Sequence, residues 1–306
     1  MVKKRIYKKP LMVGSTGRKQ RKNWFDYLNA TLLILFALLS VYPLIYVLAG
    51  SFNNGADYIN GGIYFWPREW SLENYQVVIF DVRLWKAYGI TIARTVLGTV
   101  LGILYTAIVA YAMSRKSLIG RNHIYRFFVF TMFFSGGLIP YFWVILQLGL
   151  FDSFWVYIIP ALFSVYNMLV FCNFFKSIPE EIHESAEMDG ASEFTIFFRI
   201  ILPLSMPVIS TIGLWIAVGH WNSFFDTMIY TSSDDLWTLQ YYLMKVIKES
   251  SMPPAGVGLP QELLNNIAPE TVSFAAIVVS VIPIFVLYPL IFKTLTKGVV
   301  VGSLKG

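Results

Sequence analysis

An all-α, polytopic membrane protein with six transmembrane helices is the fold class that this sequence predicts, on three observations. Of its 306 residues 56% are apolar, 17% aromatic and only 14% charged, where soluble domains carry about 25% charged residues. Six apolar segments, at about 28–50, 88–113, 125–149, 154–175, 204–229 and 273–292, reach the length needed to cross a bilayer, roughly 20 residues. Lys and Arg, finally, gather beside alternate ends of these segments. The runs lack the alternation of a barrel strand, and open sheet edges cannot be satisfied in lipid, so the spans are expected to be helices. Pro43, Pro140, Pro160, Pro207 and Pro283 fall inside or at the ends of spans, where kinks are expected and neighbouring helices can satisfy the freed carbonyls.

A basic tail, residues 1–27, opens the chain. Before Trp24 it holds nine Lys and Arg and no acidic residue, which by the positive-inside rule keeps it on the cytoplasmic side. No cleavable secretory signal is expected, because the first apolar run starts late and runs too long for a signal core. Arg115, Lys116, Arg121 and Arg126 flank the turn between spans two and three, Lys176 and Arg199 flank the segment between spans four and five, and Lys293, Lys297 and Lys305 follow span six. Together with the tail, 18 of the 24 basic residues lie on one side of a six-span arrangement with both termini cytoplasmic. The net charge of +6 is thus a topology signal, with contact to anionic membrane lipid and no nucleic-acid role. The spans form a permease domain, residues 28–293, followed by a cytoplasmic tail, 294–306. Two long outer loops, 51–87 and 230–272, are candidate docking surfaces. The first holds Trp66, Trp70 and Trp85, rings suited to the headgroup level, and the second holds Pro253, Pro254, Gly256, Gly258 and Pro260.

Between spans four and five the pattern turns acidic and amphipathic. Ser177-Ile-Pro-Glu180 reads as a helix start, with Ser177 as N-cap, proline in the first turn and Glu180 closing a capping box. The helix is expected to run to about Met188 with Ile182, Ser185, Ala186 and Asp189 on one side. Gly190 ends it, since glycine takes the left-handed conformation that lets a chain reverse. A second short helix is expected from Ser192 to about Ile201, stopped by Pro203. The product is a helix-turn-helix elbow projecting from the membrane. On residues alone, an amphipathic loop lying among headgroups is the favoured reading.

The run Glu184-Ser-Ala-Glu-Met-Asp-Gly190, followed at fixed distance by Ile200-Ile-Leu-Pro203, resembles the cytoplasmic coupling motif of ATP-binding-cassette (ABC) importer permeases, with Ser185 its one departure. Leu72-Glu-Asn-Tyr75, Ala110-Tyr-Ala-Met-Ser-Arg115, Gly137-Leu-Ile-Pro140, Phe174-Phe-Lys-Ser-Ile-Pro179, Trp221-Asn222 and the terminal Lys297–Gly306 stretch extend the likeness from about residue 24 onward. These look like the binding-protein-dependent carbohydrate-uptake permeases of the maltose type, and more narrowly the LplC-like branch associated with oligosaccharides and uronate-containing glycans. The family's usual asparagine at the start of span two is displaced here, where Tyr88-Gly-Ile-Thr91 stands.

The resemblance implies a type I importer permease fold whose coupling segment, 177–203, seats in a cleft on a separate ATPase. The coupling residues would be Glu184, Ser185, Ala186, Asp189, Gly190, Ile200, Leu202 and Pro203. It implies as partners a second permease subunit, favoured as a heterodimer, two ABC ATPases and an extracytoplasmic solute-binding protein. No G-x-x-x-x-G-K-[ST] phosphate loop occurs in the sequence, so ATP and Mg are expected on the ATPases, with no cofactor, metal or catalytic residue in this chain. His123, His183 and His220 lack metal-ligand spacing and are expected to be structural, and Cys172 a buried small residue. Span five offers a sugar path, because Trp221, Asn222 and Asp226 combine a stacking ring with polar groups. Arg94 in span two is a further candidate, or a side chain that snorkels to the outer surface. The alternative function is an ATP-independent secondary carrier or channel for small polar solutes, against which stands the scarcity of ionisable residues deep in the spans.

Overall fold

The computed structural model describes residues 24–249 and 266–303. The chain divides into two compact units, residues 1–45 and 46–306. The described part of the first is the beginning of helix α1 (Trp24–Ser51), a continuous 28-residue helix with Pro43 inside it. It starts four residues ahead of the expected span because Trp24, Phe25 and Tyr27 extend the apolar run and Asp26 complements the positive end of the helix dipole. Its side chains before Tyr46, among them Leu32, Leu33 and Phe36, are exposed except for the half-buried Tyr42.

In the second unit the next elements are α2 (Gly55–Ile59), α3 (Glu73–Phe80) and α4 (Val82–Ser114). Helix α4 has 33 residues, about 50 Å at 1.5 Å per residue. It begins before the expected residue 88 because Asp81 caps it, its carboxylate accepting the backbone N–H of Arg83 at 2.9 Å. Then come α5 (Arg121–Phe133), α6 (Leu138–Gln147), two 3-10 turns (Phe154–Tyr157 and Ile159–Ala161) and α7 (Val165–Lys176). Helices α8 (Glu180–Met188), α9 (Glu193–Ile196) and α10 (Leu202–Leu204) form the elbow. The chain continues through α11 (Met206–Asn222), α12 (Phe225–Tyr230), α13 (Leu239–Glu249) and α14 (Pro269–Ser303). Among the described residues the only extended pairing is an isolated bridge between Asn53 and Trp70.

Among the described residues, three spans are single helices and three are bent pairs. Helices α1, α4 and the Pro269–Val286 part of α14 are each long and apolar enough to cross a bilayer alone, and three bent pairs bring the count to six. The expected continuous span 125–149 is instead α5 and α6, bent by 117°, because Gly137 takes φ +86° between them. Pro140 lies in the first turn of α6, where its missing N–H costs nothing. The expected span 154–175 opens as 3-10 turns around Pro160 and bends by 48° into α7, which Ser164 caps by accepting from Asn167 N–H. The expected span 204–229 ends at Asn222, with α12 a separate helix. Helix α14 continues past 292 to Ser303.

Two of the three apolar cores among the described residues lie toward the two ends of this frame. One, at the elbow end, joins Ala107, Ala110 and Met113 of α4 to Met168, Phe171, Cys172 and Phe175 of α7, with Val208 and Ile212 of α11 and Ala186 of α8. The other, toward the opposite end, gathers Leu84, Ala87, Trp221, Leu239, Tyr242 and Ala275. Beyond it the 51–81 loop is held by amides. Asn53 accepts the N–H groups of Arg68 and Glu69 and donates to Asp57. Asn74 donates to the carbonyls of Ser51 and Asn53 and accepts from the Thr271 hydroxyl at 2.8 Å. Trp66, Trp70 and Trp85 are exposed. The Pro/Gly cluster of the second loop, the basic residues before Trp24 and Lys305 lie outside the described residues.

Gly55 presses on the chain just before α14, where a Cβ would sit 2.0 Å from the backbone nitrogen of Ala268. Gly55→Ala is therefore expected to destabilise the protein by about 1–3 kcal/mol, seen as a lowered melting temperature in lipid nanodiscs. Gly89→Ala, in open space on α4, is the control and should leave it unchanged or raised.

Candidate functional site

The elbow is built by local hydrogen bonding. Pro179, not Ser177, occupies the N-cap of α8, and no side chain caps it. Ser177 instead closes α7, its hydroxyl donating to the Phe174 carbonyl at 2.7 Å, so the expected capping box is absent. The C-terminus of α8 follows the expectation. Gly190 has φ +79°, its N–H bonds to the Glu187 carbonyl and that of Ala191 to the Ala186 carbonyl, a Schellman motif that reverses the chain. Ser192 then caps α9 by accepting from Thr195 N–H.

Pro203 does not stop the second helix. It has no N–H to offer Arg199, and the turn before it, Phe197–Ile201, widens to a π-helical turn. The chain continues through α10 and bends by 81° at Ser205 into α11.

The residues singled out in the coupling motif divide between tip and root. Glu184, Ser185, Asp189 and Gly190 are exposed, as are Met188 and Phe194 beside them. Ser185 spends its hydroxyl on the Glu181 carbonyl at 2.6 Å, which is why a serine serves there as a small residue. Ala186 is buried in the elbow-end core, and Ile200 and Leu202 pack against the same core. Of the face expected to carry Ile182, Ser185, Ala186 and Asp189, only Ala186 is buried. His183 is the other buried residue of α8.

That histidine sits at a junction. One ring nitrogen lies 2.8 Å from the Arg115 guanidinium, and the other lies 3.1 Å from the Tyr111 hydroxyl and 3.2 Å from Glu193 Oε2. The Tyr111 hydroxyl donates to the same Glu193 oxygen at 2.5 Å. On the outside, Lys116 pairs with Glu180 at 2.8 Å and holds that carboxyl below its usual range, an exposed pair of small energetic weight.

In the first half of α4 the charged candidates meet. Arg94 does not snorkel. It is 1% exposed, with Nη2 2.7 Å from Asp226 Oδ2, Nη1 3.5 Å from the Ser223 carbonyl, and its guanidinium 4.5 Å from the centre of the Tyr157 ring. Asp226 also accepts from the Ser223 hydroxyl at 2.9 Å. Arginine and carboxylate together hold the break between α11 and α12. Asn222 is exposed and Asp226 partly so, while Trp221 is buried in the second core. The structure thus brings Arg94 and Asp226 together and leaves Trp221 as packing, with Asn222 facing outward. His220, also buried, lies against Gly98, where a Cβ would come within 2.3 Å of its Nε2.

Sequence reasoning set His183 aside for lack of metal spacing and did not single out Tyr111 or Glu193. The available signal was a histidine one position from the motif's first acid, on a helix with few other residues able to turn inward.

Long helices and bent helix pairs apolar enough to cross a bilayer, with a short elbow between α7 and α11, define a multi-pass membrane-protein architecture. Residues 98–301 match the family described as binding-protein-dependent transport system inner membrane components. The chain is 37% identical over 287 residues to the polygalacturonan/rhamnogalacturonan transport system permease protein YtcP of Bacillus subtilis strain 168, covering 92% of this chain and 98% of that one. It is 35% identical over 283 residues to protein LplC of the same organism, covering 92% and 95%. A crystal structure of a bacterial ABC transporter involved in the import of the acidic polysaccharide alginate superposes with a TM-score of 0.80 at 34% identity, covering 88% of this chain and 95% of that one. The chain belongs to the family of binding-protein-dependent transport system inner membrane components.

Asp226→Ala strands the buried Arg94 charge and is expected to lower stability by about 3–5 kcal/mol. Adding Arg94→Met should recover most of that loss, a comparison read from melting temperatures in nanodiscs. Equal destabilisation in the single and double variants would show that the pair does not bear on the break.

Proposed function

We propose that this chain is the transmembrane permease subunit of an ATP-driven, binding-protein-dependent carbohydrate importer working by alternating access. The observation that carries the reading is the elbow: a short helix closed by Gly190 in the left-handed conformation, with Glu184, Ser185 and Asp189 exposed at its tip. Such a rigid, small-residue knob suits a groove on an ATPase subunit. In this reading both termini and the elbow are cytoplasmic, in keeping with the basic residues beside them, and two ABC ATPases bind Mg and ATP and close against the elbows of this chain and a second permease, as a heterodimer. A loaded extracytoplasmic binding protein docks at the opposite end, on the 51–81 loop and its neighbours.

The printed descriptions of the relatives support an oligosaccharide cargo, with uronate-containing glycan fragments as the narrower proposal. Asn222 and Asp226 are the accessible polar groups for a sugar path on this subunit. Arg94 is already neutralised by Asp226, so a sugar carboxylate would draw its counter-charge from the binding protein or the second permease.

The test is ATP hydrolysis by the complex in lipid, with and without a binding protein loaded with galacturonate-containing or neutral oligosaccharides. Stimulation by a loaded binding protein is expected, larger for the acidic sugars. Gly190→Asp should abolish stimulated uptake. Its own chain leaves open space there and the strain is about 1–2 kcal/mol, so the defect would fall on the partner. Sugar flux without any co-purifying ATPase would overturn the reading in favour of a carrier.

A further inference from the structure

We propose that His183 is a positioning residue that keys the elbow to the end of α4, so that elbow displacement is delivered to the far end through α4 and not through the covalent continuation into α11. The proposal rests on the coupling role of the elbow put forward above and specifies its mechanical route.

The elbow is joined to the membrane spans in two ways. Its covalent continuation passes through the π-helical turn at Phe197–Ile201, through Pro203, and round an 81° bend at Ser205 just ahead of Pro207. Each of these removes or misaligns helical hydrogen bonds, and the Ser205 hydroxyl is buried without a partner. A joint of this kind bends when it is pushed.

The second connection is the junction at His183, buried at the histidine and Tyr111 and open to solvent at Glu193. His183 is 2% exposed and both ring nitrogens are engaged. Arg115 has no acceptor to offer, so it donates to Nδ1, which assigns the ring proton to Nε2. That nitrogen faces the Tyr111 oxygen and Glu193, and Tyr111 donates its own proton to Glu193. The four side chains come from three elements: Tyr111 and Arg115 from the end of α4, His183 from α8, and Glu193 from α9. Apolar contacts such as that of Ala186 tolerate sliding. Directional bonds to the buried His183 ring and Tyr111 hydroxyl do not, because sliding would leave those two groups unpaired away from water.

Helix α4 carries no proline along its 33 residues. In its first half Arg94 holds Asp226 and the Ser223 carbonyl, and the Thr91 hydroxyl oxygen accepts the N–H of Leu239 at 2.8 Å. A shift of α4 as a body therefore reaches the α11–α12 break and the start of α13 together.

Tyr111→Phe deletes one hydroxyl from the junction and retains the ring, and His183→Gln keeps a polar side chain with a different reach. The experiment measures oligosaccharide taken up per ATP hydrolysed by proteoliposomes of the full complex. Tyr111→Phe is expected to lower that ratio about tenfold, the loss of a buried hydrogen bond to a charged group, with His183→Gln intermediate and the ATPases still bound. A ratio equal to wild type in both variants would overturn the proposal. So would a proportional fall in uptake and hydrolysis with reduced recovery of complex, which marks a structural role only. Gly190→Asp, run alongside, separates the two levels. If it blocks uptake while the junction variants keep the ratio, this route alone is wrong. If it too transports normally, the coupling role of the elbow fails and the proposal with it.

Discussion

Gly98 and Gly213 put no side chain between α4 and α11, and the helices meet so closely that a Cβ at Gly98 would overlap His220 and one at Gly213 would lie 2.9 Å from Ile103 Cδ1. In lipid there is no hydrophobic force between helices, so association depends on such close packing and on a few interhelical polar contacts. Both are present here on one pair. Van der Waals contact at Gly98 and Gly213 brings α11 onto α4, and the resulting separation lets Arg94 reach Asp226 and the Ser223 carbonyl just past the end of α11. Wider packing would leave a buried guanidinium without its carboxylate. The breaks that shorten α11 at both ends are tolerable because α4 is unbroken beside them.

Fold class and span number were legible because both depend on length and composition, which a bilayer constrains tightly. Gly190 was legible for a different reason. A left-handed residue at a helix end has one favoured chemistry, and the chain reverses where the glycine stands. The straightness of the spans was not legible. Apolar runs look alike whether one helix or two cross them, and the 117° bend at 134–137 turns on the φ of Gly137, while the proline that drew attention, Pro140, is harmless in a first turn. Pro203 was misjudged in the opposite sense, since a helix can absorb a proline by widening the preceding turn.

The candidate site was half visible. Arg94 and Asp226 were chosen separately for being charged in apolar segments, and they turn out to be each other's partner. The pairing depends on a helix contact set by glycines that sequence inspection had no reason to weigh. Trp221 read as a stacking surface because it neighbours Asn222, yet adjacent residues on a helix end point different ways, and its ring lies in the core with Leu84 and Tyr242. His183 was missed because its partners lie at Arg115, Tyr111 and Glu193, far apart in sequence or across a turn.

The distribution of polar groups along α4 suits a part that moves as a body. Here Gly98, Gly102, Ala107 and Ala110 give α4 a small-residue packing face, and directional contacts are spread along it at Thr91, Arg94, Thr106, Tyr111 and Arg115. Small residues on that face allow sliding or tilting against α7 and α11 without creating voids, whereas the directional contacts fix what must travel with the helix. Bends, by contrast, fall in α5–α6, at the entry to α7 and on either side of α11. The frame therefore sets unbroken spans, α4 among them, beside jointed ones, the division on which the proposed route from the elbow to the far end of α4 relies.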